Sequence, residues 1–444
     1  MDSINTHKYY TIQNTNHHKT KMKILSPISI LYLIYLITIP RVSSSSPSLT
    51  VPHHFLQCLD TQPSDHGSPN SATAVIPTNS SFSANLMSAV RNLRFASASN
   101  RKPEAIVAAL TETHIRATIS CCKLLNLELR VRSGGHDYEG FSYTSPVPFV
   151  ILDMYNFHKI DINMADETVT VREGAVDLVH KWQQVAPVID RDLFIRLEIK
   201  PINRKISKGK TIKVSFIGMF LGTPERLLNI TKKKFPELHL TTSDCLVKKW
   251  IDSVVFWANY PEKAPIEILL KRISANEYYW KRTSDFVQTP ISKEGLATIF
   301  QTMIDHSPLP RRVWMQWNPW GGRMGEIPSD ATAFVHRGGN LFMIEHFMNW
   351  YRPGDELEEK FLAIARSFKE AMAPYVSKNP REAFFNYRDV DIGITTPGYN
   401  ATYEGAKVYG EKYFKGNYLR LVKTKAQFDR TNFFRSQQGI PVLA

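Results

Sequence analysis

A glycine-containing loop follows a short strand-like segment and ends in a histidine. It reads Arg132-Ser133-Gly134-Gly135-His136. Paired glycines after a strand let backbone N–H groups converge on an anion such as a pyrophosphate, and the histidine would then lie beside the ligand. A glycine turn with a surface histidine is an equally good interpretation, because a short glycine loop is a weak motif. The residues alone therefore leave a phosphate-binding loop and a simple turn open.

Other motifs that could carry chemistry are incomplete in this sequence. Residues 208–211 resemble the end of a nucleotide-binding P-loop, but Arg204 stands where the first glycine is required. Neither an HExxH motif nor a Gly-x-Ser-x-Gly motif is present. The adjacent Cys121 and Cys122 do not have the spacing of a zinc knuckle. We therefore expect neither a P-loop nor a metal site.

The segments around the glycine loop alternate between strand-like and helical patterns. Residues 105–110 form a short apolar run, Thr111 can cap the helix that follows, and residues 127–131 alternate like a strand. Residues 149–153 and 168–172 read as further strands. This order predicts a βαβ unit whose ligand loop follows a strand.

The middle of the chain alternates predicted strands with predicted helices. Residues 193–199 and 211–217 have the alternating pattern of strands. A helix is expected to begin at Asp355, with a capping-box relation to Glu358. The last helix should cover about residues 404–423.

Composition excludes several classes of protein. The 444 residues include 43% hydrophobic and 22% charged residues, which excludes a mainly disordered or collagen-like chain. Lys and Arg number 55 against 41 Asp and Glu, a net charge of +14. Such a charge favours anionic surfaces, and an acidic cell-wall polysaccharide is one candidate. Because no nucleic-acid reading motif accompanies the charge, we expect no nucleic-acid partner.

The N-terminal segment has the pattern of a secretory signal. An uncharged apolar run at residues 24–40 follows three lysines and precedes a serine-rich stretch. The run is shorter than the ~20 apolar residues of a membrane-spanning helix, so an uncleaved anchor is the less favoured alternative. Met22 would start a more conventional signal than Met1. We expect a secreted chain without stable membrane insertion once the signal is removed.

Cysteine use and glycosylation motifs agree with secretion. Four cysteines suit one disulfide and two thiols in an oxidising compartment. Three N-x-S/T sequons begin at Asn79, Asn229 and Asn400. Together with the signal, the sequons predict a glycosylated extracellular protein.

Ordered short matches to a known family run through most of the chain after the signal. They lie at residues 55–59, 92–95, 130–140, 148–153, 235–238, 321–324, 386–389 and 432–435. In these segments the chain resembles plant berberine bridge enzyme-like flavoproteins, which are secreted oxidases with a vanillyl-alcohol-oxidase-type FAD domain. The resemblance implies FAD as cofactor, a small-molecule substrate, oxygen as electron acceptor, and a location in the cell wall or apoplast.

The resemblance also implies which residues hold the cofactor. His136 matches the histidine that bonds covalently to the flavin. Cys58 and Cys121 match the family disulfide, which leaves Cys122 and Cys245 as thiols. The residues expected to bind the cofactor are Arg132, Ser133, Gly134, Gly135, His136 and Asn386.

Three further residues match active-site positions of the family. Glu345 falls where family members place an active-site Glu or Gln, Tyr387 matches a tyrosine that acts as base or support, and Tyr138 matches a side chain lining the flavin. A carboxylate or tyrosinate near a flavin can take the proton of a substrate hydroxyl when its pKa is close to the working pH. The ordinary alternatives are an ion-paired strand glutamate and a packed core tyrosine.

The fold class implied is α+β, with a two-part FAD-binding domain and an α/β substrate domain that contains an antiparallel sheet. The expected segments are an N-terminal extension and signal (1–46), the first part of the FAD-binding domain (47–175), the substrate domain (176–379) and a C-terminal segment that returns to the FAD domain (380–444). The sequence departs from the family after Ala175, where a large block of the FAD domain, with a second flavin-linked cysteine, is missing. The FAD-binding domain is therefore expected to be truncated.

Two functions follow from this comparison. The first is an FAD-dependent oxidase that abstracts hydride from a small alcohol, a phenolic alcohol or a carbohydrate. The second is a catalytically inactive truncated family member, or a basic glycoprotein associated with the cell wall. Flavin bound to the purified protein would distinguish them, because only the first function needs the cofactor.

Overall fold

The computed structural model describes most of the chain after the predicted signal. The described residues are 50–64, 68–97, 99–157, 165–168, 175–204, 208–258, 260–261, 264–270, 278–307, 312–395 and 401–443. The predicted signal, the sequon at Asn400 and most of the predicted strand at 168–172 lie outside these ranges. No helix in the described ranges has the length and apolar character needed to cross a membrane.

The N-terminal part contains a small, mostly parallel sheet with helices packed on it. Its elements in chain order are α1 (Val51–Thr61), β1 (Ala74–Val75), α2 (Phe82–Met87), β2 (Ala105–Ala108), α3 (Glu112–Leu124), β3 (Glu128–Arg132) and β4 (Phe149–Asp153). The strand order is β1-β2-β4-β3, with β2 and β3 parallel to β4 and β1 antiparallel to β2. The predicted βαβ unit is confirmed, because β2, α3 and β3 follow each other around β4.

Helix α3 begins and ends where the sequence predicts. Thr111 and His114 form a capping box at its start, and Asn126 turns the chain with a φ of 51° just after its end. A disulfide between Cys58 and Cys121 joins α1 to α3, with 5.8 Å between the Cα atoms, as the resemblance implied. Cys122 is fully buried beside it, and burial raises the pKa of its thiol to about 12.

The larger part of the described chain contains a seven-stranded sheet and the helices that surround it. In chain order its elements are β5 (Ala165–Thr168), α4 (Ala175–Val185), β6 (Leu193–Asn203), β7 (Lys210–Phe220), α5 (Pro224–Lys234), β8 (Leu246–Lys249), α6 (Trp250–Trp257), β9 (Tyr279–Val287), α7 (Lys293–His306), β10 (Val313–Pro319), α8 (Arg323–Glu326), β11 (Phe342–Trp350), α9 (Asp355–Met372), α10 (Tyr403–Phe414) and α11 (Tyr418–Phe428). The strand order is β8-β5-β7-β6-β10-β11-β9 and each neighbouring pair is antiparallel, so the predicted antiparallel sheet is confirmed.

The two faces of this sheet have opposite characters. Leu197, Trp317 and Ile344 lie in one cross-strand row and are fully buried under α4, α7 and α9. The adjacent residues Glu198, Gln316 and Glu345 form the neighbouring cross-strand row. Because side chains alternate across a strand, this second row lies on the opposite face, where the sheet is polar.

Two details of the helices differ from the sequence prediction. Helix α9 begins at Asp355, but Gly354 occupies the N-cap position and no side chain caps the helix, so the predicted capping box is absent. The predicted last helix is two helices, because Lys415 takes a φ of 44° and breaks the helical path between α10 and α11.

A cluster of buried charges joins three segments that are far apart in the chain. Lys281 on β9 is 1% exposed, and its Nζ lies 2.6 Å from Glu139 Oε1 and 2.8 Å from Asp389 Oδ1. Burial alone lowers the pKa of Lys281, but the two carboxylates raise it above its ordinary value. The lysine therefore stays charged and holds the loop after β3 and the C-terminal segment against β9.

We expect Lys281→Met to destabilise the protein by about 3 to 5 kcal/mol, because it removes the nearest cation from two buried carboxylates. Urea unfolding at neutral pH measures this change. Lys407→Met is the matched control, since Lys407 is a surface residue that contacts Glu404 and Glu411, and its loss should change the free energy of unfolding far less. Equal losses in the two variants would contradict the assigned role of Lys281.

Candidate active site

A buried arginine at the end of β3 anchors the glycine loop that follows this strand. Arg132 is 1% exposed and donates to Asp153 Oδ2 from Nε at 3.0 Å and from Nη2 at 2.6 Å. Its guanidinium also donates to the backbone oxygens of Asn85 and Leu86, each at 2.9 Å. The enclosed side chain of Arg132 therefore anchors the loop, and its expected contact with the cofactor stays a prediction.

The loop itself is shaped by close backbone packing. Gly135 has a φ of +69°, and a Cβ at this position would lie 2.0 Å from the carbonyl oxygen of Ala89. Only glycine meets both demands. Arg91 Nε donates to the Gly134 oxygen at 3.3 Å, which adds a second tie between the segment before β2 and the loop.

The loop leaves groups available for an anionic ligand. The backbone N–H groups of Gly134, Gly135 and His136 donate to no acceptor among the described residues. His136 is exposed, and Ser133 is exposed as well but also interacts with other parts of the chain. Free N–H groups that follow a parallel strand suit a pyrophosphate, so these residues fit the cofactor that the resemblance implies.

His136 is suited to act as a neutral imidazole. Partial burial of the ring and the positive charge of Arg91 lower the pKa of His136 below its ordinary value. A neutral imidazole has a free nitrogen lone pair at neutral pH. The side chain is therefore chemically able to form a bond to an electrophilic carbon.

A buried carboxylate lies at the centre of the polar sheet face. Glu345 on β11 is 2% exposed, and Tyr138 Oη donates to its Oε1 at 2.8 Å. Arg282 Nε lies 3.8 Å from the same oxygen, and the Tyr387 hydroxyl also interacts with the carboxylate. Burial raises the pKa of Glu345 to about 7, although Arg282 and the two tyrosines act in the opposite direction.

The two tyrosines form a stacked pair over this carboxylate. Their rings lie 5.5 Å apart with an angle of 7° between them. Burial, followed by the charge of Glu345, raises the pKa of both Tyr138 and Tyr387 well above the ordinary value for tyrosine. Both hydroxyls therefore stay protonated and act as hydrogen-bond donors, so Glu345 is the group of the three that can accept a proton near neutral pH.

The structure brings together the three residues predicted to be catalytic, although they come from three distant segments. Tyr138 lies two residues after His136 on the glycine loop, Glu345 lies on β11, and Tyr387 ends a short 3₁₀ helix at Phe385–Tyr387. Asn386, expected to contact the cofactor, is exposed on that 3₁₀ helix.

Three charged residues of this site were missed in the sequence. Arg282 and Arg196 influence Glu345 electrostatically, and Lys281 holds the loop that carries Tyr138. Each lies in a strand, where an alternating charged residue reads as a solvent-facing one. A signal was present in residues 281–285, because five consecutive polar residues break the alternation of a strand with one buried face and place polar side chains on both faces.

The polar face continues beside Glu345 as an array of hydrogen-bonding and aromatic side chains. Glu198 lies beyond Gln316 in the same row, and Lys200 Nζ donates to Glu198 Oε2 at 2.6 Å. Trp314 and Phe347 stack with 3.5 Å between ring centroids. Hydroxyl-bearing rings can be held by such a mixture of charges and aromatic surfaces.

Two of the three predicted glycosylation sites lie in the described residues, and both are exposed. Asn79 is in a turn, where its Oδ1 accepts from the Ile76 N–H at 2.7 Å. Asn229 is on the outer face of α5. Their modification remains a prediction.

Two protein-family models match the chain. The model described as FAD binding domain matches residues 103–198, and the model described as berberine and berberine like matches residues 383–441. The first match contains the glycine loop, and the second contains Asn386 and Tyr387.

Curated relatives align over nearly their whole length. Berberine bridge enzyme-like 16 of Arabidopsis thaliana is 69% identical, with 94% of this chain and 99% of the relative covered. Berberine bridge enzyme-like 10 of the same plant is 38% identical, with 93% and 99% covered. The first alignment spans 534 positions, 90 more than the 444 residues of this chain. At least that many of its positions therefore have no counterpart here.

Solved structures share the fold. Phl p 4, described as a grass pollen allergen with glucose dehydrogenase activity, is 26% identical with a TM-score of 0.78, and the match covers 88% of this chain and 100% of that one. The Bermuda grass isoallergen BG60 is 27% identical with a TM-score of 0.77 and the same coverage.

We expect Glu345→Gln to change how stability depends on pH. The folded-state pKa of about 7 lies above the ordinary 4.5, so Glu345 stabilises the fold at low pH and this contribution is lost as the pH rises through about 7. Between about pH 5 and about pH 8 the parent chain should lose about 2 to 3 kcal/mol more than the Gln variant.

Urea unfolding of both chains at the two pH values measures this difference. Glu112→Gln is the control, because Glu112 is exposed and pairs only with Arg116 on the surface. The same pH dependence in the parent chain and in Glu345→Gln would show that Glu345 has an ordinary pKa.

Proposed function

This chain belongs to the berberine bridge enzyme-like family of FAD-binding oxidoreductases, and we propose that it is a secreted oxidase acting on a small hydroxyl-bearing substrate. The substrate would be a small alcohol, a phenolic alcohol or a carbohydrate, and oxygen would be the electron acceptor. One observation carries the proposal: a buried carboxylate with a pKa of about 7 is held by a tyrosine of the loop that also carries His136.

The glycine loop would hold the cofactor. Its free N–H groups at Gly134, Gly135 and His136 would bind the pyrophosphate, and the exposed His136 would bond to the flavin ring. Bound flavin supplies a two-electron acceptor for hydride. Asn386, next to Tyr387, would contact the cofactor from the C-terminal segment.

Glu345 would take the proton of the substrate hydroxyl. A base with a pKa near 7 is ionised in part at neutral pH and still binds a proton effectively. Tyr138 and Tyr387 would orient the carboxylate and the substrate as hydrogen-bond donors, because their own raised pKa values prevent them from acting as bases. Tyr387 is therefore proposed as a support rather than as the base.

The neighbouring polar face would bind the rest of the substrate. Glu198, Lys200 and Gln316 offer donors and acceptors, and the stacked Trp314 and Phe347 offer an aromatic surface. The glucose dehydrogenase activity stated for Phl p 4 supports a carbohydrate among the three substrate classes.

A second function is favoured by the alignment with the relatives. The 90 or more positions without a counterpart here agree with a block missing after Ala175, which in the family completes the FAD-binding domain. A chain without that block would be an inactive member. Its net charge of +14 and its exposed sequons would then suit a basic glycoprotein bound to acidic cell-wall polysaccharide.

The absorption spectrum of the purified secreted protein, before and after acid precipitation, tests the two functions. The oxidase predicts a flavin band that stays with the precipitate, because a covalent bond survives acid denaturation. His136→Ala should move the flavin to the supernatant, whereas His54→Ala, which changes an exposed histidine of α1, should not. A colourless, monodisperse protein would exclude the oxidase and leave the glycoprotein.

A further inference from the structure

A buried ion pair lies behind the active-site face, on the helix-covered face of the sheet. Asp285 on β9 is 0% exposed, and two guanidinium nitrogens of Arg381 contact its carboxylate. Arg381 Nε donates to Asp285 Oδ1 at 2.6 Å, and Nη2 donates to Oδ2 at 2.7 Å. A planar bidentate pair of this kind fixes direction as well as distance.

Other groups complete the surroundings of Asp285. His346 Nε2 lies 2.9 Å from Asp285 Oδ2, and Lys369 Nζ lies 3.7 Å from Oδ1. Burial alone raises the pKa of Asp285, but Lys369, His346 and Arg381 together hold it below its ordinary range. Asp285 therefore remains a carboxylate, and the pair with Arg381 persists across the working pH.

Arg381 begins the segment that leads to Tyr387. Before it, the Ser377 N–H donates to the Phe286 oxygen at 2.8 Å, and after it the Phe384 N–H donates to Ser284 Oγ at 2.8 Å. The segment is therefore attached to the edge strand β9 on both sides of Arg381. Ser284 lies directly opposite Glu345 in the β9–β11 register, so this path ends beside the carboxylate.

We propose that Asp285 and Arg381 form a positioning pair, which sets where Tyr387 meets Glu345 and so keeps water away from that carboxylate. The inference rests on the proposed role of Glu345 as the base. A pair that merely stabilises the fold is the alternative, because buried ion pairs occur without any connection to a site.

The two roles predict different behaviour of Glu345. Burial is the main cause of its raised pKa, and Tyr387 lies beside the carboxylate, since it hydrogen-bonds Glu345 and stacks on Tyr138. If the pair positions Tyr387, breaking the pair admits water and the pKa of Glu345 falls towards 4.5. If the pair only stabilises the fold, the folded molecules keep their site and the pKa of Glu345 stays at about 7.

The experiment is a ¹³C NMR titration of the full chain labelled at the glutamate carboxyl carbons, with the Glu345 signal assigned by its loss in Glu345→Gln. We expect Arg381→Gln and Asp285→Asn each to lower the pKa of Glu345 by about one unit or more, because each admits water. Tyr387→Phe should raise it instead, because this change removes a hydrogen-bond donor and keeps the ring. The opposite signs separate loss of position from loss of the hydroxyl.

Arg226→Gln is the control, since Arg226 Nη2 donates to both oxygens of Asp190 at 3.0 Å and the pair shares no residue with the site around Glu345. If Arg381→Gln does not fold, Arg381→Lys is a milder variant, because it keeps the positive charge. It should also lower the pKa of Glu345. A pKa of Glu345 that stays at the parent value in the folded variants, or that rises as in Tyr387→Phe, would overturn the proposal.

The titration needs neither flavin nor substrate. A colourless protein in which Arg381→Gln still lowers the pKa of Glu345 would exclude the oxidase and keep the positioning pair. A flavin-containing oxidase in which Arg381→Gln leaves the pKa of Glu345 unchanged would support the oxidase and exclude the positioning pair.

Discussion

The buried ammonium group of Lys281 holds the glycine loop and the C-terminal segment against the sheet. Lys281 sits between Glu139 of the glycine loop and Asp389 of the C-terminal segment, and all three side chains are almost fully enclosed. Removing such charges from water costs several kcal/mol each, so the arrangement is stable only when every partner is in place. The requirement couples the loop that carries Tyr138 to the segment that carries Tyr387, and it places both over the strand next to Glu345.

Two acids on neighbouring strands show how the sheet assigns different chemistry to similar groups. Asp285 and Glu345 are both buried, but they lie on opposite faces. The face of Asp285 supplies an arginine, a lysine and a histidine, so its pKa is held low. The face of Glu345 supplies two tyrosines and a more distant arginine, which do not offset the cost of burial, so its pKa is raised. One acid is thereby suited to anchoring and the other to proton transfer.

Local patterns predicted the elements of the fold better than they predicted the site. Strands β6 and β7 and helix α3 were found because alternation, helical spacing and a capping threonine are visible within ten residues. Tyr138, Glu345 and Tyr387 were found only through a family resemblance, since no local rule connects side chains from three distant segments. Arg282 and Lys281 were missed for the same reason: their partners are set by strand register and by the path of the C-terminal segment. The break at Lys415 was missed because a left-handed backbone at lysine has no signature in the residue type.

The path of the C-terminal segment along the edge of β9 has a consequence for biosynthesis. The chain leaves the ribosome N-terminus first. The glycine loop and the strands of the seven-stranded sheet therefore emerge before Arg381 and Asp389. Until then the edge of β9 lacks its contacts with Ser377 and Phe384, and Lys281 lacks one of its two main counterions. An uncovered strand edge can pair with other chains. The last residues to be synthesised are thus the ones that cover the edge of β9 and complete the ion pairs of Lys281. A chaperone would be needed most in the interval before these residues emerge.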